Sequence, residues 1–278
     1  MPRAPKIIWV IGSGTDVGKT TIATAFIRAM NRRGTPTVGF KPYAVSMLRD
    51  LIDFMLEKIP SSKCSFFGSD GWELSTASPL TRDELVDTVV PLQLLCHPSW
   101  GSNILARTGS VATGDVEYFR SKYAASIETR PDMVELARKT GLPICDAEIV
   151  DPLTILATPP FTPQKQQRSF DHLVSLGATG VVCEGGNRFL PVWSGCPYPD
   201  HLVALIDGTV RFYPNFGSGF DANAVATLTS GDEFIQLLDS IGTKYTSLPL
   251  YMVERGRRRE IADQIVENLI GAAGDEFL

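Results

Sequence analysis

The sequence predicts an α/β protein with a doubly wound, mostly parallel sheet and helices on both faces. Three observations carry this prediction. The strand-like runs are continuously apolar, helix-period stretches alternate with them, and a glycine-rich turn joins the first run to the first helix. Residues 7–11 (Ile-Ile-Trp-Val-Ile) form the first run, as expected of a strand buried on both faces. Residues 19–33 follow the helical period, with Ile22, Phe26, Ala29 and Met30 on one face and Gly34 as the stop. After Pro36, Thr37–Phe40 reads as a short strand. Ser46 is expected to cap a helix whose apolar stripe is Leu48, Leu51, Ile52, Met55, Leu56 and Ile59. Residues 61–110 are rich in Ser, Gly, Pro and Thr and show few clear periods. Residues 115–139 are expected to be helical, broken at Arg130-Pro131, and residues 164–176 form a further helix ended by Gly177. A short buried strand follows at residues 180–183. Residues 202–206 and Thr209–Tyr213 flank Asp207-Gly208, a hairpin signal that places an antiparallel pair late in the sheet. Ile261, Ile265, Val266, Leu269 and Ile270 mark a C-terminal amphipathic helix. No stretch has the composition of a linker, so residues 1–278 read as one domain.

Composition narrows the functional classes. The chain has 278 residues, of which 44% are hydrophobic and 21% charged, which is enough apolar material for an ordinary core. With 26 basic against 31 acidic residues the net charge is −5, which argues against nucleic acid as a partner. No apolar run reaches the ~18 residues of a membrane span, and the run at 7–11 is too short for the apolar core of a signal peptide. The cysteines, Cys64, Cys96, Cys145, Cys183 and Cys196, are odd in number and scattered. A disulfide framework and a structural zinc site are therefore not expected, and a reducing cytoplasm fits.

The chemistry begins at the first turn, Gly12-Ser13-Gly14-Thr15-Asp16-Val17-Gly18-Lys19-Thr20-Thr21. A glycine-rich loop between strand and helix turns its N–H groups inward around phosphate, and the helix N-terminus adds partial positive charge. Lys19 is placed to neutralise the β- and γ-phosphates, and the Thr20 hydroxyl to ligate Mg²⁺. Gly14, Thr15, Asp16, Val17, Gly18 and Thr21 complete the candidate nucleotide loop. Counted from Gly12, five residues precede Gly18-Lys19, one more than in the usual P-loop. Lys41 directly follows the second strand, at the carboxyl edge where sites form in such sheets. Glu184 ends a buried strand, the place of the metal-associated acid in P-loop proteins. Asp70 and His97 lie in the irregular stretch.

Together these segments resemble dethiobiotin synthetase. The loop from Gly12 to Thr20 is similar to that family's loop. Gly39-Phe40-Lys41-Pro42-Tyr43-Ala44 is similar to its G-[YF]-[KR]-P-[VI]-[AS] segment. Ser69-Asp70 and Val182-Cys183-Glu184-Gly185-Gly186 resemble two further motifs. The resemblance is close over residues 7–45 and patchy beyond. It implies a cytoplasmic, homodimeric, ATP- and Mg²⁺-dependent ligase of biotin biosynthesis. In that family a diamine captures CO₂ as a carbamate, the carbamate takes the γ-phosphoryl group, and the second amine closes a cyclic urea. Carried over, Lys19 would hold the phosphates, Thr20, Asp70 and Glu184 the Mg²⁺, and Lys41 the carbamate and the transferring phosphoryl group. His97 and Ser46 fall near the family's substrate segments. The interval from Lys41 to Glu184 is longer than in typical members, which implies an insertion around residues 100–165. Asn187-Arg188-Phe189 stands where the family continues with glycine, so Arg188 is expected to meet an anionic substrate group.

Two other readings use the same residues. One is an ATP-dependent phosphotransferase acting on another small acid. The other is a nucleotide switch resembling the partitioning ATPases, which carry an extra lysine early in the loop where this chain has Ser13 and Gly14.

Overall fold

The structure, a computed structural model, describes residues 4–14, 16–58, 67–81, 85–97, 102–121, 134, 138, 148–150, 163–186, 190, 193, 195–216, 231–240, 244–250 and 257–274. The strands are β1 (Lys6–Gly12), β2 (Thr37–Phe40), β3 (Ala44–Met47), β4 (Leu92–His97), β5 (Ser102–Thr108), β6 (Glu117–Ser121), β7 (Glu148–Val150), β8 (Gly180–Glu184), β9 (His201–Ile206), β10 (Thr209–Tyr213) and β11 (Thr246–Pro249). The helices are α1 (Lys19–Arg32), α2 (Leu48–Lys58), α3 (Ser69–Thr76), α4 (Val86–Val89), α5 (Pro163–Ser175), α6 (Gly231–Ser240) and α7 (Arg258–Ala273).

The main sheet has the order β11-β10-β9-β1-β8-β2, and β9, β1, β8 and β2 run parallel. Its central strands are apolar in continuous runs, with polar residues only at their ends, because helices flank the sheet and leave no solvent face to alternate toward. The helix α1 lies against β1, β2 and β8, with α3 and α7 beside it. Phe26 of α1 stacks on Phe212 of β10, and Phe170 of α5 meets Phe40 of β2 edge to face. The hairpin expected at Asp207-Gly208 is present: both residues have positive φ (47° and 72°), and β9 and β10 pair antiparallel. β11 adds a second antiparallel pairing outside it.

A second sheet, β3-β4-β5-β6-β7, takes its strands from residues 44–150. Within it β3–β4 and β6–β7 are parallel, whereas β4–β5 and β5–β6 are antiparallel. Its small core is Leu92, Leu94, Ala106 and Phe119, with Tyr43 packed against them.

Two elements differ from the sequence expectation. Ser46 lies in β3 and not at a helix cap; the helix begins two residues later, at Leu48. Residues 117–121 form β6 where a helix was expected, because pairing with β5 outweighs the local helical pattern. Further along that stretch Val134 and Arg138 are helical. The irregular stretch at 61–110 contains α3, α4, β4 and β5. Among the described residues no helix is long and apolar enough to cross a membrane.

Candidate functional site

The parallel order puts the carboxyl ends of β1, β8 and β2 side by side, in register through Val10↔Glu184 and Phe40↔Cys183. Everything that follows these strands therefore opens at one edge, where ligands of such sheets bind. β1 leads into the loop, β2 into Lys41, and β8 ends at Glu184.

The loop closes tightly on itself. Ser13 N–H donates to the Leu205 carbonyl, and a Cβ on Gly12 would lie 2.8 Å from a Val17 methyl group. Asp16 has φ 57°, and Gly18, which precedes α1, has φ 94°, a left-handed conformation that favours glycine. Leu250, just after β11, packs close to Gly18. The Lys19 ammonium is buried and donates to the Gly14 carbonyl inside the loop. Thr21 is half-buried, and its carbonyl accepts the Thr24 hydroxyl.

Lys41 is at the centre of the site. It is 4% exposed, and its Nζ lies 2.5 Å from Asp70 Oδ2 and 2.7 Å from Glu184 Oε1. The Thr20 hydroxyl donates to the same Glu184 Oε1 at 2.9 Å. Thr20, Lys41, Asp70 and Glu184, far apart in sequence, thus meet beside Lys19. Glu184 is almost wholly buried, whereas the Asp70 side chain keeps 40% of its surface open to water.

Burial and charge pull these groups in different directions. Burial opposes the charge on Lys41, but the Glu184 and Asp70 carboxylates outweigh it and hold the ammonium above the ordinary lysine pKa. Lys19 lies below that value, because burial is only partly offset by Glu184. Burial pushes Glu184 up against the pull of Lys41. Burial would raise Asp70 as well, yet Lys41 and the Thr20 hydroxyl bring it below the usual carboxylate range.

The donor set fits a hard cation. It offers two carboxylates and a hydroxyl, and Glu184 Oε2 is buried with no hydrogen-bond partner among the described residues. No group of three or more His, Cys, Asp or Glu side chains gathers for a metal among the described residues. That sparse set suits Mg²⁺, which keeps waters and phosphate oxygens in its shell and does not require a protein cage.

The other candidates separate. Ser46 accepts a hydrogen bond from Gln93 Nε2 at 3.1 Å. His97 ends β4, paired with Ser102. Thr15 and Arg188 lie outside the described residues.

Two contributors were missed from sequence. Gln93 is fully buried; its Oε1 accepts the Gly68 N–H at 3.1 Å and so fixes the start of α3, which carries Asp70. A lone amide within the apolar run Leu92–His97 was the available signal. Tyr43 donates to the Gly186 carbonyl at 3.2 Å, two residues beyond Glu184. Its signal was an aromatic ring where the resembled family has Val or Ile.

Compared with models of known protein families the chain matches none, and no curated protein matches it.

Proposed function

We propose that this chain is an ATP- and Mg²⁺-dependent ligase of the dethiobiotin synthetase type, carboxylating a diamine and closing it to a cyclic urea. The observation that carries this reading is the buried Lys41 ammonium held between Asp70 and Glu184, next to Thr20 and Lys19 of a glycine-rich loop. A simple nucleotide-binding loop needs no second buried lysine there, whereas a phosphoryl transfer to a carbamate gains from one.

In this reading the loop N–H groups and Lys19 bind the phosphates of ATP. Thr20, Asp70 and Glu184 hold Mg²⁺, which when bound neutralises charge on the phosphate oxygens. Lys41 binds the carbamate formed from one amine and CO₂, and stabilises the charge that builds up as carbamate oxygen attacks the γ-phosphorus and ADP leaves. The second amine then attacks the carbamoyl carbon. The C–O bond to phosphate breaks, inorganic phosphate leaves, and the amine proton passes to solvent. Lys41 stays protonated throughout, consistent with its raised pKa, and so acts by charge and not as a base.

The test is phosphate release from ATP. It should require Mg²⁺, bicarbonate and a vicinal diamine together. Formation of ADP and a phosphorylated acid, with no phosphate release, when a small acid replaces bicarbonate and diamine would make the chain a phosphotransferase. Tight MgATP binding with no turnover on any acceptor would make it a switch. In the ligase, Lys41→Ala should lower kcat on the order of 10²–10³-fold and change ATP affinity little. Lys19→Ala should weaken ATP binding as well. Equal and mild effects of the two changes would remove Lys41 from the chemistry.

A further inference from the structure

Tyr43 stands where the two sheets join. The segment Lys41-Pro42-Tyr43 connects β2 of the main sheet to β3 of the second sheet. Each of its residues is held: the Lys41 N–H donates to the Val89 carbonyl at 2.8 Å, and the Pro42 carbonyl accepts Gln166 Nε2 at 3.1 Å. The Tyr43 ring rests on the second sheet's core of Leu92, Leu94, Ala106 and Phe119. Its hydroxyl reaches across to the Gly186 carbonyl at 3.2 Å.

The partner is shaped for this contact. A Cβ on Gly186 would lie closer than 3.0 Å to three atoms of the Tyr43 ring, so only glycine lets the ring lie against that backbone. Between Glu184 and Gly186, the Gly185 N–H donates to the Val10 carbonyl at 2.9 Å. The backbone leaving Glu184 is thus tied on one side to β1 and on the other to Tyr43. The Glu184 carboxylate itself is anchored through Oε1 alone, by Thr20 and Lys41, while Oε2 is buried without a partner among the described residues. Its direction therefore depends on where the backbone holds it. Burial also pushes the phenol pKa up, so Tyr43 keeps its proton and remains a donor at every physiological pH.

We propose that Tyr43 is a positioning residue: by fixing the Gly185-Gly186 backbone it aims the Glu184 carboxylate, and above all Oε2, at the cation that accompanies the nucleotide. That role rests on Thr20, Asp70 and Glu184 serving MgATP, as in the function proposed above. A partner that orients a metal-binding carboxylate typically accounts for 10–100-fold in metal affinity.

Binding separates the two ideas without using turnover. ATP affinity is measured calorimetrically with EDTA and across a Mg²⁺ titration, for the wild type, Tyr43→Phe and Gly186→Ala. Tyr43→Phe keeps the ring and removes the hydroxyl. It should raise the Mg²⁺ concentration for half-maximal tightening of ATP binding by about 10-fold. Affinity in EDTA should be unchanged, and Tm should fall by only about 2–4 °C. Gly186→Ala displaces the ring and should shift the Mg²⁺ dependence the same way, with the hydroxyl still present. A wild type whose ATP affinity ignores Mg²⁺ overturns the functional reading and this role with it. A Mg²⁺-dependent wild type whose dependence both variants retain overturns the role of Tyr43 alone. So does a loss for Tyr43→Phe that is equal with and without Mg²⁺.

Discussion

Lys41 is a single charge on which two acids depend. Glu184 is buried and Asp70 partly open, and both face the same ammonium. Removing one partner of a buried ion pair leaves the other charge uncompensated, at a cost of roughly 3–5 kcal/mol. Because water screens Asp70, Lys41→Met should destabilise the protein by about 3 kcal/mol at pH 7, the lower end of that range. The pH dependence follows from the directions of the shifts. Asp70 is held below its ordinary range, so its contribution is present above about pH 4 and is lost as the pH falls through its folded pKa. Lys41, raised, contributes fully below the ordinary lysine value and loses that contribution only as the pH rises through its folded pKa. Glu184 acts in the opposite sense to Asp70: its raised pKa withholds stability as the pH rises through it. In Lys41→Met both carboxyls favour the proton, so the deficit against wild type should shrink as the pH falls toward 4. Urea unfolding of both proteins at pH 7 and pH 4.5 checks this, and a deficit that is constant with pH would contradict the pairing.

Among the elements, α7 shows which contacts hold a helix in place. It presents Asp263 to Arg28 of α1, and Glu267 to both Arg32 of α1 and Arg33 just after it, at 2.6–2.7 Å. The Glu267 pairs look strong but are half open to water, where such pairs contribute about 0–1 kcal/mol and are screened by salt. The other side of α7 buries Ala262, Ile265, Val266, Leu269 and Ile270 in the main core. Leu269→Ala should therefore cost about 2–5 kcal/mol. Glu267→Gln should cost under about 1 kcal/mol, vanishing in high salt. Thermal melts at low and high ionic strength separate the two. A Glu267 effect as large as that of Leu269 would mean that ion pairs and not packing seat the helix. The buried positions of α7 repeat at helical spacing, so this element was legible in sequence. The strand β6 was not: its pattern suits a helix, and its pairing partner β5 decides the outcome.

At the scale of the whole molecule, the short helix α4 couples the two sheets. The Val89 carbonyl receives the Lys41 N–H, while the next carbonyl, Val90, receives Arg107 Nη2 at 2.5 Å. Arg107, on β5, is wholly buried and also donates to the carbonyls of Asp87 and Gly109. One guanidinium from the second sheet thereby fixes the helix that anchors the lysine of the first. Arg107→Met retains bulk and strands buried carbonyls, which should cost about 3 kcal/mol. It should also speed hydrogen exchange at the Lys41 amide, a site Arg107 never touches. Unaltered exchange at Lys41 in a destabilised variant would confine the effect of Arg107 to its own sheet.

The parts legible in the sequence are those whose physics is local or periodic. The loop from Gly12 to Thr21, the parallel strands around it, the Asp207-Gly208 hairpin and the amphipathic helices follow from backbone freedom at glycine, continuous apolar runs and helical spacing. The placement of Lys41 and Glu184 at strand ends followed too, because parallel strands bring their carboxyl ends to one edge. Three contacts arise only on folding: Asp70 reaches Lys41, Gln93 fixes the start of Asp70's helix, and Tyr43 meets Gly186. Each of these contacts spans 25 or more residues. Such contacts depend on the pairing of β3 with β4 and of β4 with β5, where long-range ladder hydrogen bonds and shared burial override weak local preference, and no short window of sequence carries that information.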